Sequence, residues 1–340
     1  MKSHLSTITL IIPVWKGSDP FRRCLKSILS AFPPPDELIV VIDGPDEFSK
    51  NIASSFGIRA LTLSENRGPA AARNIGARIA KSDILFFLDA DVIAPPDVFE
   101  KVRCVFSKTP QVDAVFGSYD DKPPVSNFFS QFKNLFHHYV HQHAKTDAST
   151  FWAGCGAILR SRFEALGGFN EKYRFPSIED IEFGYRLKEA GGRIMLCKDL
   201  TVTHLKHWTF LSLLKTDFFH RGIPWSDLIL KKGFTNDLNI SQSGRLSVLS
   251  SWIAFFSCLL SMWQNSFFAI FLICGIVLIL LNLHFYHYLL SRKGFFFVLR
   301  AIPFHWFYFF YSGLSFMISF IKYISNNAHS KPGNREFQKN

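Results

Sequence analysis

The residues in this chain best suited to chemistry are carboxylates at the ends of apolar runs. Asp89-Ala90-Asp91 follows the run Ile84–Leu88. Two carboxylates two positions apart, where a strand relaxes into a loop, can converge on one cation. Mg2+ or Mn2+ takes such oxygen ligands and shares them with phosphates. A solvated loop pair would look the same in sequence. Asp43-Gly44 closes another apolar run; its carboxylate could accept a hydrogen bond from a base or ribose, and Asp-Gly is equally a strong turn former. Glu179-Asp180 precedes an amphipathic stretch. These are either ordinary helix-start acids or a proton acceptor for an attacking hydroxyl. His204 and His207 follow a short strand-like run. A neutral imidazole can ligate Mn2+, while a polar interface suits His207 better.

Three further groups could hold a ligand. Asn66-Arg67-Gly68-Pro69-Ala70-Ala71-Ala72-Arg73-Asn74-Ile75-Gly76 opens a helix with small residues. A helix N-terminus favours anions, and Arg73, a turn further in, could reach a phosphate or a base. Tight alanine packing and a surface ion pair are the alternative. Trp152-Ala153-Gly154 offers an aromatic face to a sugar ring or a core tryptophan. Arg221-Gly222-Ile223-Pro224-Trp225 could grip a lipid phosphate or glycan acceptor, with Trp225 as an interfacial anchor the simpler reading.

The elements that must position these residues alternate in type. Strands are expected at Thr7–Val14, Glu37–Ile42, Arg59–Leu63, Asp83–Leu88 and Ala114–Ser118, separated by helical spacing over 19–31, 46–56, 68–80 and 97–107. That alternation predicts an α/β fold with a doubly wound, mostly parallel sheet. Its ligands should bind beyond the strands' carboxyl ends, where Asp43 and Asp89 fall. Residues 119–150 are polar, aromatic and rich in histidine, and could close over the site. A strand or turn is expected at Phe151–Arg160, a helix at Ile181–Ala190, short strands at Ile194–Cys197 and Thr201–His204, and a broken helical stretch at Phe210–Leu230.

The chain has 340 residues, a formal charge of +11 and 38 phenylalanines, and its apolar residues concentrate in the last third. Many cations flank apolar segments, which points to a membrane surface and a polyphosphate substrate rather than nucleic acid. The six cysteines are scattered without a CxxC pair, against structural zinc or a disulfide framework and for a reducing compartment. Ile8–Val14 is too short for a signal-peptide core and reads as a strand. Val248–Leu283 is 36 residues without a charge; since a helix crosses with about 20, two short spans turning at Gln264-Asn265-Ser266 are expected. An interfacial helix over 285–301 and a third hydrophobic segment, Phe304–Ile321, follow. Lys231-Lys232, Arg245 and Arg292-Lys293 place the catalytic domain on the cytoplasmic side of the cell membrane. The expected division is a catalytic domain over 1–235, a membrane region over 245–325 and a polar tail over 326–340.

In order and spacing the motifs resemble the family 2 glycosyltransferases of the GT-A fold, the nucleotide-diphospho-sugar transferase fold. The pieces are Ile11-Ile12-Pro13-Val14, Val41-Ile42-Asp43-Gly44, Asn66 to Gly76, Phe87-Leu88-Asp89-Ala90-Asp91, Gly167-Gly168-Phe169, and Glu179-Asp180 with Arg186, spanning about residues 7–205. The resemblance implies an inverting, metal-dependent transfer of one sugar from a nucleotide-diphosphate sugar to a hydroxyl acceptor, lipid-linked or glycan. Pro13, Val14, Asp43, Asn66, Arg73 and Asp89 would hold the nucleotide sugar. Asp91, His204 and Asp89 would hold Mg2+ or Mn2+, and Asp180 would be the catalytic base. Trp152, Gly154, Glu179, Arg221 and Trp225 would face the sugar or acceptor. Ile42 and Pro45 replace an aspartate and a serine common in the family, so UDP is only the default nucleotide. The Gln-x-x-Arg-Trp motif of processive relatives is replaced by the differently spaced Arg221 to Trp225, against a polymerase. The competing readings are a non-catalytic GT-A-like scaffold at the membrane and a nucleotidyltransferase.

Overall fold

β-branched and aromatic runs buried on both faces make parallel strands, and the first two hundred residues follow that rule. The computed structural model describes residues 6–233 and 241–329. The strands are β1 (Ile8–Val14), β2 (Glu37–Ile42), β3 (Leu61–Thr62), β4 (Ile84–Leu88), β5 (Val92–Ile93), β6 (Ala114–Tyr119), β7 (Asp147–Ala148), β8 (Cys155–Leu159) and β9 (Ile194–His204). They form one sheet in the order β3-β2-β1-β4-β8-β6-β9-β5, with β7 also on β9. β1 to β4 run parallel, β8 lies antiparallel between β4 and β6, and β6 and β9 are parallel again. This is the mixed, mostly parallel α/β sheet of a GT-A fold.

The expected elements shift by one or two residues at most ends, with four larger differences. β3 is only two residues long, because its side chains are exposed and little burial rewards pairing. The two short strands expected after Ile194 are one eleven-residue strand with a register irregularity opposite Phe116 and Ser118. Residues 119–150 contain a sixteen-residue helix, Phe128–His143. Asn127 caps it, and Phe132, Leu135 and His141 are buried along one side. The two-residue strand β5 was not expected; it pairs Val92 with His204.

Beyond residue 213 the described chain forms a second compact unit, residues 214–233 with 241–329. Phe210–Lys215 is α-helical, Thr216–Gly222 a π-helix and Ile223–Lys232 α-helical, so the stretch expected to break at Gly222 and Pro224 stays helical but underwinds there to i→i+5 hydrogen bonds. This stretch, placed by sequence in the catalytic domain, is grouped with the C-terminal helices from residue 214 on. Gln242–Leu260 and Phe295–Asn326 are long and apolar enough to cross a membrane. Ser266–Leu281 reaches that length only together with Leu283–Lys293, from which it bends by 66°. The surface helix expected over 285–301 is broken at Gly294, whose positive φ terminates one helix before a longer one begins. The tail expected at 326–340 lies mostly outside the described residues.

Candidate active site

The carboxyl ends of β1, β2 and β4 come together because the strands pair in parallel register. Val14 lies opposite Ile42, and Ile11 opposite Phe87. Pro13 and Val14 therefore lie at the same end of the sheet as Asp43 and Asp89. Asp43 is buried, and its carboxylate accepts hydrogen bonds from the Arg67 amide (2.8 Å), the Gly68 amide (2.9 Å) and Asn66 Nδ2 (3.0 Å). Its first job is to shape the loop that opens the helix Pro69–Ile79. Gly68 is needed there: its φ is +90°, and a Cβ would sit 2.3 Å from the Arg174 carbonyl oxygen.

From that helix Arg73, buried, reaches two carboxylates at once. Its Nη2 donates to Asp89 Oδ1 at 2.7 Å and its Nη1 to Glu179 Oε1 at 2.8 Å. Burial disfavours a charged guanidinium, but Asp89, Glu179 and Asp180 more than offset it and raise its pKa. The second Glu179 oxygen accepts the Ser177 amide at 3.0 Å. Arg73 thus ties the end of β4 to the start of the helix Glu179–Glu189.

A second chain of contacts makes the same connection. The Asp89 amide donates to the Gly154 carbonyl at 3.1 Å, and the neighbouring Ala153 amide donates to Asp180 Oδ2 at 3.0 Å. Asp180 Oδ1 accepts the Ile181 amide at 2.9 Å. Asp180 is therefore held by backbone amides beside the segment paired with Asp89. Gly154 is where the Trp152 indole folds back over the backbone: a Cβ there would meet the ring at 2.5 Å.

β5 delivers the third component. Pairing Val92 with His204, and donating the Leu205 amide to the Asp91 carbonyl at 2.8 Å, sets Asp91 Oδ2 3.7 Å from His204 Nε2. Burial pushes the Asp91 carboxyl up, but His204, with Lys206 beyond, wins and holds it below the usual carboxylate range. Asp91 and His204 are a donor set suited to a divalent cation, one hard oxygen and one borderline nitrogen. Among the described residues no three His, Cys, Asp or Glu side chains cluster as a metal site, so the remaining ligands of a cation there would include a substrate's oxygens. Asp89, aligned with them in sequence, spends one oxygen on Arg73.

Several residues that hold this site had been given no role from sequence. Asn74 exchanges two hydrogen bonds with the Phe169 backbone, both 2.8 Å. Arg186, paired with Glu182 at 2.9 Å, donates to the carbonyls of Leu166 (2.6 Å) and Gly168 (2.7 Å). The Gly167-Gly168-Phe169 turn is thus locked to both helices that carry Arg73 and Asp180. Tyr119 stacks flat on His204, with centroids 4.1 Å apart and planes at 7°. The Asn127 cap signal before Phe128 could have exposed the helix behind Tyr119. His207 makes the polar interface expected of it, with Asn127 Nδ2 2.8 Å from its Nε2. Arg221 and Trp225 belong to the second unit, where Arg221 lies 4.0 Å from the buried Asp217.

The model described as glycosyl transferase family 2 matches residues 9–167, and that described as the N-terminal domain of galactosyltransferase matches 133–208. The O-antigen chain rhamnosyltransferase RfbN of Salmonella typhimurium is 26% identical over 64% of this chain and 74% of its own length. Validoxylamine A glucosyltransferase of Streptomyces hygroscopicus subsp. limoneus is 25% identical over 56% of this chain and 49% of its own. Glycosyltransferase AglE of Haloferax volcanii is 32% identical over 35% and 41%. The mannosyltransferase PcManGT from Pyrobaculum calidifontis, solved with GDP-Man and Mn2+, superposes with a TM-score of 0.60 at 16% identity, over 93% of this chain and 88% of that one. That likeness covers the fold.

Proposed function

The catalytic unit belongs to the family 2 glycosyltransferases, and from that premise we propose an inverting transfer of one sugar from a nucleoside-diphosphate sugar to a hydroxyl acceptor. The observation that carries the reading is Arg73 clamped between Asp89 and Glu179. It places the acidic strand end and the acid-bearing helix on one shared cation, with Asp180 next in chain to Glu179.

Single displacement needs a base on the acceptor and a good leaving group at the anomeric carbon. The acceptor oxygen forms its bond to that carbon as the carbon–oxygen bond to the diphosphate breaks. The acceptor's proton passes to Asp180, and the nucleoside diphosphate leaves with the bonding electrons. The Ala153 and Ile181 amides on Asp180 fix its carboxylate in place. Mg2+ or Mn2+, held by Asp91 and His204 with diphosphate oxygens, would neutralise charge on the leaving group; the relative solved with Mn2+ supports this choice. Asp89 would complete that site through its second oxygen. Pro13, Val14, Asp43 and Asn66 would form the nucleoside end, with Arg73 bordering it, and UDP is the default nucleotide. Trp152 and Gly154 would flank the sugar, with Glu179 at the acceptor.

The two apolar helices favour a membrane setting, and the O-antigen name of one relative favours a lipid-linked envelope glycan as acceptor. Arg221 and Trp225 are proposed as contacts to that acceptor, with the catalytic unit in the cytoplasm. The test is turnover of a panel of nucleotide sugars with Mn2+ or Mg2+, with product configuration read by NMR. Asp180→Asn should lower kcat by roughly 10²–10⁴-fold while leaving nucleotide binding intact. Retention of configuration, or an Asp180→Asn enzyme as fast as the parent, would overturn the mechanism.

A further inference from the structure

The geometry points to Tyr119 as the positioning residue of His204, and through it as the determinant of preference for Mn2+ over Mg2+; this rests on the metal reading above. A nitrogen ligand binds through a lone pair lying in the ring plane. Orientation about the side-chain torsions must therefore be fixed, commonly by a hydrogen bond to the ring's other nitrogen. In this chain an aromatic face is set against the imidazole instead. Parallel pairing of β6 and β9 puts Tyr119 opposite Val202, and His204, two residues on, points to the same face of the strand. The rings meet at 4.1 Å and 7°. A parallel stack fixes the plane of the imidazole and leaves its edge open toward Asp91, 3.7 Å away.

Tyr119 is itself hemmed in. His137 lies at 4.3 Å on its ring and Trp152 meets it edge-on at 4.8 Å. Its carbonyl accepts the His138 Nδ1 proton at 2.7 Å. Two residues earlier, the Gly117 carbonyl accepts from His141 Nδ1 at 3.0 Å. The helix Phe128–His143 therefore clamps the end of β6, and β6 clamps the ligand. Mg2+ favours oxygen ligands and leans little on an imidazole, whereas Mn2+ accepts nitrogen more readily. Loosening His204 should cost Mn2+ more than Mg2+. General damage to the site would cost both alike.

The test measures Mn2+ binding to the full chain in detergent with saturating nucleoside diphosphate, from the EPR signal of free Mn2+, with Mg2+ read by competition. His204→Ala sets the reference loss. Tyr119→Leu should weaken Mn2+ about tenfold and Mg2+ by less than about threefold, while Tyr119→Phe, which keeps the stacking face, should stay within about twofold of the parent. Tyr119→Met, equally non-planar but better at filling the space, stands in if the leucine variant does not fold. Parent-like Mn2+ affinity in the leucine or methionine variant, beside a clear loss in His204→Ala, overturns the inference and leaves the metal reading intact. So does an equal loss of both ions. Unchanged Mn2+ affinity in His204→Ala overturns the metal reading and the inference with it.

Discussion

In the parallel half of the sheet, from β3 to β4, the groups of the candidate site are held by charge and backbone amides. In the mixed half, β8, β6 and β9, aromatic rings and histidines do most of the holding. Asp43 is fixed by two amides and Asn66, and Asp89 by a guanidinium. His204 lies under Tyr119, which is backed by His137 and Trp152. The difference follows from the work proposed for each half. A site for a polyanion needs fixed positive partners and donors, and its own acids must be neutralised before the ligand arrives. A nitrogen ligand must be correctly turned, which a ring stack does by fixing the plane of the imidazole.

The sharpest way to break the contrast is to remove the charge clamp. Arg73→Met keeps an unbranched apolar stem but leaves Glu179, 4% exposed, without its cation. Stripping one partner from a buried ion pair costs about 3–5 kcal/mol. Thermal or denaturant unfolding of the full chain in detergent should show that loss together with loss of transfer. A change under about 1 kcal/mol, the value of an exposed pair, would mean the clamp is a surface contact in effect.

The mixed half should answer to pH instead. His141 is buried, and burial, against the Gly117 hydrogen bond, pulls its pKa from 6.5 to about 4. As pH falls below 6.5 the unfolded chain takes up this proton and the folded one does not. Stability from this group is complete above 6.5, falls through the window, and reaches its full loss near pH 4. Between pH 7 and 4.5 the loss is roughly 2–3 kcal/mol. His141→Phe should lose that part of the pH slope, read as the difference between the two proteins' unfolding free energies. Carboxylates titrating in both proteins cancel. Parallel pH profiles would show that His141 is solvated or protonated in the fold.

A smaller effect separates packing from backbone strain where the two halves meet. Gly167 and Gly168 both have φ near +74°, at +73° and +74°. An added Cβ meets nothing within 4 Å at Gly167, but sits 2.6 Å from Asn74 Oδ1 at Gly168. Asn74 Oδ1 is the acceptor of the Phe169 amide. Gly167→Ala should cost about 1 kcal/mol for the left-handed backbone. Gly168→Ala should add about 1 kcal/mol for the disturbed hydrogen bond. Equal losses in the two variants would place the whole cost in the backbone.

The same contrast decided what could be read from sequence. The parallel half is written in short local signals: apolar runs ending in Asp43 and Asp89, and Gly68-Pro69 at a helix start. Their register is dictated by the sheet, so the residues expected at one end of it are found there. The mixed half is written across long separations. β5 is two residues long and has no periodicity of its own, yet it sets Asp91 beside His204. Tyr119 finds His204 through strand pairing that no spacing along the chain encodes. The helix Phe128–His143 was obscured because its buried side is built from histidine and asparagine as well as phenylalanine and leucine, and a polar stretch reads as loop. In the second unit, hydropathy marks the apolar stretches, but the break at Gly294 and the bend after Leu281 depend on single backbone positions.

The smallest predicted effect tests whether that helix is anchored at its start. Asn127 Oδ1 accepts the Ser130 amide at 2.8 Å, and Nδ2 donates to the Trp208 carbonyl at 2.9 Å. One side chain therefore caps the helix and ties it to the chain just past His204. Replacing a capping asparagine with alanine costs about 1 kcal/mol. Asn127→Asp keeps the cap acceptor and sheds the donor, so it isolates the tie. Hydrogen exchange of amides in the first turn should quicken in Asn127→Ala and stay slow in Asn127→Asp. Exchange near Trp208 should quicken in both. First-turn protection unchanged in the alanine variant would show that the start of the helix is held by its buried rings and its later polar contacts, such as those of His138 and His141 to β6, without the cap.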